Sequence, residues 1–161
     1  MVQLKIWQAN IIYNIMQHVL ALEDYYSRQA AKCPDLVCTS FLVYVASEKT
    51  RQIEKLQELT GINGTDFMTG SKVENPIADV MENLSDKTLD EISEYVKELS
   101  IRDLKMYAVL SNRVKEFESI FSALIDIEEG YMARVESGYR DHLSIGLAKI
   151  YQYENKIMQL T

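Results

Sequence analysis

The stretches FLVYVASEKTR, residues 41–51, and FSALIDIEEGY, residues 121–131, decide how this chain is read. Around the first, Val37, Phe41, Tyr44, Glu48 and Arg51 recur at spacings of three and four. Around the second, Phe117, Phe121, Leu124, Glu128 and Tyr131 do the same. That period marks one face of a helix, and strand alternation does not fit it. Phe41, Tyr44 and Glu48 stand 80 residues before Phe121, Leu124 and Glu128. Each stripe therefore carries a glutamate on its core-facing side. Such a carboxylate needs a partner, because an unpaired buried charge is strongly destabilising.

The same period continues outward. Ile12, Ile15, Val19, Leu22, Tyr26 and Ala30 predict a first helix over roughly 4–31. Cys33-Pro34-Asp35 cannot continue it, because proline lacks the amide and restricts the residue before it. A second helix follows over roughly 36–59. Residues 60–87 read as a long connection, with three glycines between Gly61 and Gly70 and a short helix expected from Pro76 to Leu84. Thr88 and Glu91 form a capping box that opens a third helix. Its stripe is Val96, Ser100, Asp103, Tyr107 and Leu110, with a break near Asn112. The fourth helix covers roughly 115–137 and stops at Ser137-Gly138. A last helix is expected over 139–160, with Leu143, Leu147, Ile150, Glu154, Ile157 and Met158 at helical spacing.

Short turns make antiparallel neighbours, and one long connection crosses a bundle. The expected fold is all-α: a single domain, 1–161, built as an antiparallel four-helix bundle. Its parts are a hairpin 4–59, a connection 60–87, a hairpin 88–137 and an extra C-terminal helix 139–160. The halves repeat further upstream, since Tyr26 lies 81 residues before Tyr107, and Val19 lies 81 before Ser100.

These matched positions resemble the rubrerythrin-type, ferritin-like diiron-carboxylate family over residues 9–136. KTLDEISEYVKELSIRDLKMYAVL looks like that family's third helix, FSALIDIEEGY like its fourth and FLVYVASEKTR like its second. The resemblance implies a carboxylate seven residues before a tyrosine on the first helix of each hairpin. It implies a Glu-x-x-His on the second helix of each. Here the positions before Tyr26 and Tyr107 are Val19 and Ser100. Glu48 and Glu128 remain, but their histidine positions are Arg51 and Tyr131. Two of six ligands are kept. Valine offers no donor, and arginine is permanently protonated.

The expectation is therefore a bundle without cofactor, in which Glu48 and Glu128 are vestigial metal carboxylates facing each other. Their expected partners are Arg51, Ser100, Tyr107 and Tyr131, with Arg51 as the countercharge. Tyr44, Tyr107 and Tyr131 should turn their hydroxyls to these carboxylates. The alternative keeps iron: a metal-binding oxidoreductase of peroxidase type, as the resemblance implies, with a reduced carboxylate set. Glu23 and Asp103 offer a shifted site about 5–6 Å along the same faces. Otherwise they are salt-bridge partners for Arg28 or Arg102. His18 is expected to point about 100° away from the ligand level, and His142 to be solvated.

Composition narrows the rest. The formal net charge of −7 lacks the basic footprint of a nucleic-acid binder and disfavours anionic membrane surfaces. No apolar run approaches the roughly 20 residues that span a bilayer. The start MVQLKIWQANIIYNIMQHV is interrupted by polar residues, unlike a secretory leader. A cytoplasmic location is expected. Cys33 and Cys38 form no disulfide framework or zinc pattern, and no phosphate loop or nucleophile elbow occurs. The functions in view are a structural or binding module, the iron oxidoreductase, and an adaptor whose C-terminal helix docks a second copy or a protein partner.

Overall fold

The computed structural model describes residues 1–63 and 81–137. Among these residues the only regular secondary structure is helix. Helix α1 spans Ile6–Lys32, α2 Leu36–Thr60, α3 Leu89–Arg113 and α4 Glu118–Ser137, with a 3-10 turn at Lys115–Phe117 before α4.

The boundaries follow from local chemistry. Cys33 closes α1 in an extended conformation, its amide reaching Ala30 O at 3.2 Å. Asp35 then caps α2, its carboxylate accepting from the Cys38 amide at 2.9 Å. Gly61 ends α2 at φ +70, a left-handed conformation that only glycine adopts without steric cost. Thr88 and Glu91 make the expected capping box: the Glu91 amide donates to Thr88 Oγ1 at 3.2 Å, and the Thr88 amide to Glu91 Oε1 at 3.3 Å. Helix α3 runs past Asn112 and breaks at Val114, one residue beyond Arg113.

Side-chain contacts give the topology. The Val2 amide bonds Leu59 O at 2.9 Å, so the start of α1 lies beside the end of α2. At the opposite end, Tyr25 OH donates to Glu82 O and the Leu84 amide to Gln29 Oε1 at 2.7 Å. The connection from α2 to α3 thus leaves beside the first turns of α1 and returns beside its last. Its two described ends therefore lie at opposite ends of the bundle. Each helix runs antiparallel to the two it borders. No described helix is long and apolar enough to cross a membrane.

Two apolar lobes fill the interior. One joins Leu22, Tyr25 and Tyr26 to the Phe41–Ala46 segment, Ile92, Val96 and Tyr131. The other joins Ile12, Met16 and Val19 to Ile53, Leu56, Tyr107, Phe121 and Leu124. Between them lies a buried polar layer: Ser47, Glu48, Lys49 and Gln52 of α2, Ser100 and Asp103 of α3, and Glu128 of α4.

One expectation is corrected here. Residues 81–84, read as the end of a short helix from Pro76, are not helical. Leu84 is instead buried and held by Gln29, which fixes its backbone in a non-helical course. The rest of that segment lies outside the described residues. So does the expected C-terminal helix 139–160, with His142.

Candidate functional site

The polar layer is built from α2 outward. Every residue from Ser40 to Lys49 is buried. A helix apolar on all sides belongs inside a protein, and Phe41 to Ala46 is such a segment. The charged pair that ends it, Glu48 and Lys49, therefore enters the interior as well.

Lys49 stands at the centre of the layer. Its side chain is 1% exposed, and its ammonium forms ion pairs with Glu128 and with Asp103, the latter at 3.3 Å. The Tyr131 ring lies 5.6 Å from the same nitrogen, within cation–π range. Gln52 Nε2 donates to Glu128 Oε1 at 2.7 Å, and Tyr107 OH donates to Gln52 Oε1 at 2.9 Å. On the far side, His18 Nε2 meets Asp103 Oδ1 at 2.8 Å. Contacts thus run from His18 through Asp103, Lys49, Glu128 and Gln52 to Tyr107, touching all four helices. The division of labour is regular. The first hairpin supplies His18, Lys49 and Gln52, and the second supplies both carboxylates.

Electrostatics agree with this geometry. Burial acts to lower the pKa of Lys49, but Glu128 and Asp103 outweigh it, and the net shift is upward. For Asp103, burial acts to raise the pKa, yet His18 and Lys49 bring it below the ordinary carboxylate value. Tyr26, Tyr107 and Tyr131 are pushed well upward, first by burial. All three stay neutral at any physiological pH. Tyr26 OH is buried with no hydrogen-bond partner, and Glu128 lies beside the Tyr131 phenol and helps to raise its pKa.

Glu48 occupies a different environment. It pairs with Arg51 at 2.8 Å on one wall of a cleft of about 240 Å³ between α2 and α4. Tyr44, Gly130, Tyr131 and Arg134 line the same cleft, with Asp126 and Ile127. A Cβ added at Gly130 would meet nothing within 4 Å. The Tyr44 phenol is raised by burial and by Glu48, with Arg134 and Arg51 opposing.

The expected site residues are thus divided between two places. Glu48 and Glu128 are both buried, as their stripes predict, but their ion-pair partners differ. Arg51 is not the buried countercharge of the pair. Its side chain is 58% exposed and serves Glu48, while Lys49 serves Glu128. Ser100 and Tyr131 bond to each other, and Tyr107 bonds Gln52 where a carboxylate was expected. Val19 packs in an apolar lobe. Asp103 takes His18 and Lys49 as partners in place of Arg28 or Arg102, and Arg28 pairs with Asp24 at 3.0 Å. Glu23 accepts from Ser27 at 3.1 Å. His18 is satisfied by Asp103. Among the described residues, no three histidine, cysteine or acidic side chains are grouped so as to hold a metal ion.

Lys49 and Gln52 are the residues that stripe reading missed. Lys49 sits one position, about 100°, from the Glu48 stripe. The usable signal was the unbroken apolar run before it. Comparison with models of known protein families, with curated proteins and with solved structures gives no match to this chain.

Proposed function

We propose that this chain is a degenerate rubrerythrin-type, ferritin-like bundle that has lost its diiron centre and works as a structural or binding module. The observation that carries this reading is Lys49. Its ammonium lies between Glu128 and Asp103, two carboxylates from different helices, where it supplies positive charge without a metal. The donor set does not fit two iron ions. Val19 has no donor atom, Ser100 and Tyr131 are occupied with each other, and Arg51 is a cation bound to Glu48. Iron bridged by Glu128 would also have to displace an ammonium fixed to the chain.

Without iron, the polar layer has a structural use. Cations and amide donors come from one hairpin and carboxylates from the other, so the contacts are complete only when the hairpins dock in one register. Buried polar groups can specify a register in this way. The α2–α4 cleft supplies the concave surface that a binding role needs.

Metal analysis and a UV–visible spectrum of protein expressed in iron-supplemented medium test the reading. No stoichiometric iron, no charge-transfer absorption and no peroxide turnover are expected. Two equivalents of iron surviving chelation, with peroxidase activity, would establish the oxidoreductase instead.

A further inference from the structure

The α2–α4 cleft contains a glycine that packing does not explain. Asp126, Gly130 and Arg134 follow one another at one-turn spacing on α4, and all three line the cleft. Gly130 lies inside the helix, where glycine is destabilising relative to alanine. Its φ is not positive, and no neighbour stands within 4 Å of the place its Cβ would take. The missing side chain therefore leaves a gap in the cleft wall. Two guanidiniums border that gap, Arg51 from α2 and Arg134 from α4. Glu48 engages Arg51 through Nη1 at 2.8 Å, while a guanidinium carries five N–H donors in all. The Tyr44 phenol is influenced by both cations, so their fields overlap in the cleft. From this arrangement we infer that the α2–α4 cleft binds a small organic monocarboxylate, its anionic head held between Arg51 and Arg134 and its apolar body laid on Gly130 and Ile127. The inference deepens the binding role proposed above and rests on it.

Charge selects the ligand class. Against the two arginines the cleft sets one buried carboxylate, Glu48, which leaves one positive charge for a ligand to neutralise. Asp126 lines the same cleft, about 12 Å along α4 from Arg134, and repels a second anionic group. A monocarboxylate balances this set, and a dianionic phosphate ester does not. The planar fork of arginine also matches a carboxylate through two parallel hydrogen bonds. Size narrows the class further. The cleft holds about 240 Å³, below the roughly 300–1,000 Å³ of clefts that take drug-sized ligands. An acid with a short apolar body suits that space, and Ile127 and the bare helix at Gly130 give it a surface to cover.

The test titrates the full, unmodified chain with benzoate and with hexanoate, followed by calorimetry and by amide resonances in nuclear magnetic resonance. At least one of the two acids should bind with one equivalent and shift the Gly130 amide. Benzamide, the neutral counterpart of benzoate, should not bind, and phenyl phosphate should bind more weakly than benzoate. Arg51→Gln and Arg134→Gln should each weaken the acid about tenfold, as the loss of a hydrogen bond to a charged group does. Gly130→Leu fills the gap and should abolish binding. Arg51, Gly130 and Arg134 are all exposed, so thermal unfolding should show these variants folded. The inference is overturned if neither acid binds, if benzamide binds as well as benzoate, if phenyl phosphate binds more tightly, or if Gly130→Leu leaves binding intact. Shifts confined to residues outside the cleft would overturn it without recourse to any variant. Stoichiometric iron, read separately by metal analysis, would instead overturn the metal-free reading on which it rests.

Discussion

Lys49 concentrates the energetics at the scale of single residues. Lys49→Met keeps the volume but leaves Asp103 and Glu128 buried without their cation. Breaking a buried pair from one side costs about 3–5 kcal/mol, and urea denaturation should show a loss of that size. Adding Glu128→Gln removes one stranded charge, so the double variant should be more stable than Lys49→Met alone. A Lys49→Met protein as stable as the unmodified chain would contradict the buried pairing. Arg51→Ala is the contrasting case. With its side chain 58% exposed, its loss should cost about 1 kcal/mol, because solvent screens such pairs.

Helix α4 raises a question at the level of elements, since Gly130 lies within it. Its φ is not positive, and no neighbour crowds the place where a Cβ would stand. Neither backbone conformation nor packing calls for glycine there. Gly130→Ala should therefore stabilise the protein by about 0.5–1 kcal/mol, through the unfolded chain's lost freedom. A destabilised variant in thermal unfolding would mean that the α2–α4 cleft has no room for a methyl group. Gly61→Ala should have the opposite sign, since φ +70 strains any side chain. At the start of α3, Thr88→Ala removes half of a capping box and should cost about 1 kcal/mol.

For the molecule as a whole, the buried titratable groups set the pH range of stability. Lys49, Tyr26, Tyr107 and Tyr131 all have raised values in the folded state. The stability they contribute is complete below their unfolded values, 10.5 for lysine and 10.0 for tyrosine. It is lost as pH rises above these. Asp103 has the opposite sign. Its contribution is complete above 3.8 and falls away as pH drops below that value. A stability plateau between roughly pH 5 and 9 should result, with a steep alkaline limb. Phe substitution at Tyr107 or Tyr131 should flatten that limb in a series of melts against pH. An unchanged limb in both variants would place the titrating groups elsewhere.

Much of this was legible in the residues themselves. Pro34, Gly61 and the Thr88–Glu91 pair act through local backbone chemistry, so they placed three helix boundaries without knowledge of the fold. The periodic stripes put Val19, Phe121, Leu124, Glu48 and Glu128 inside, because a helix face is a property of sequence spacing alone. The length of the connection after residue 60 was enough to expect a crossover. The sequence could not say which cation meets which carboxylate. Glu48 and Lys49 are adjacent and lie about 100° apart on one helix, and only the positions of α1, α3 and α4 around α2 bring Lys49 to Glu128 and Asp103. The same packing leaves Glu48 to Arg51 at the cleft and turns His18 onto a helix 85 residues away. Ion pairing depends on distances of a few ångströms between separate elements, and a one-dimensional stripe carries no information about these.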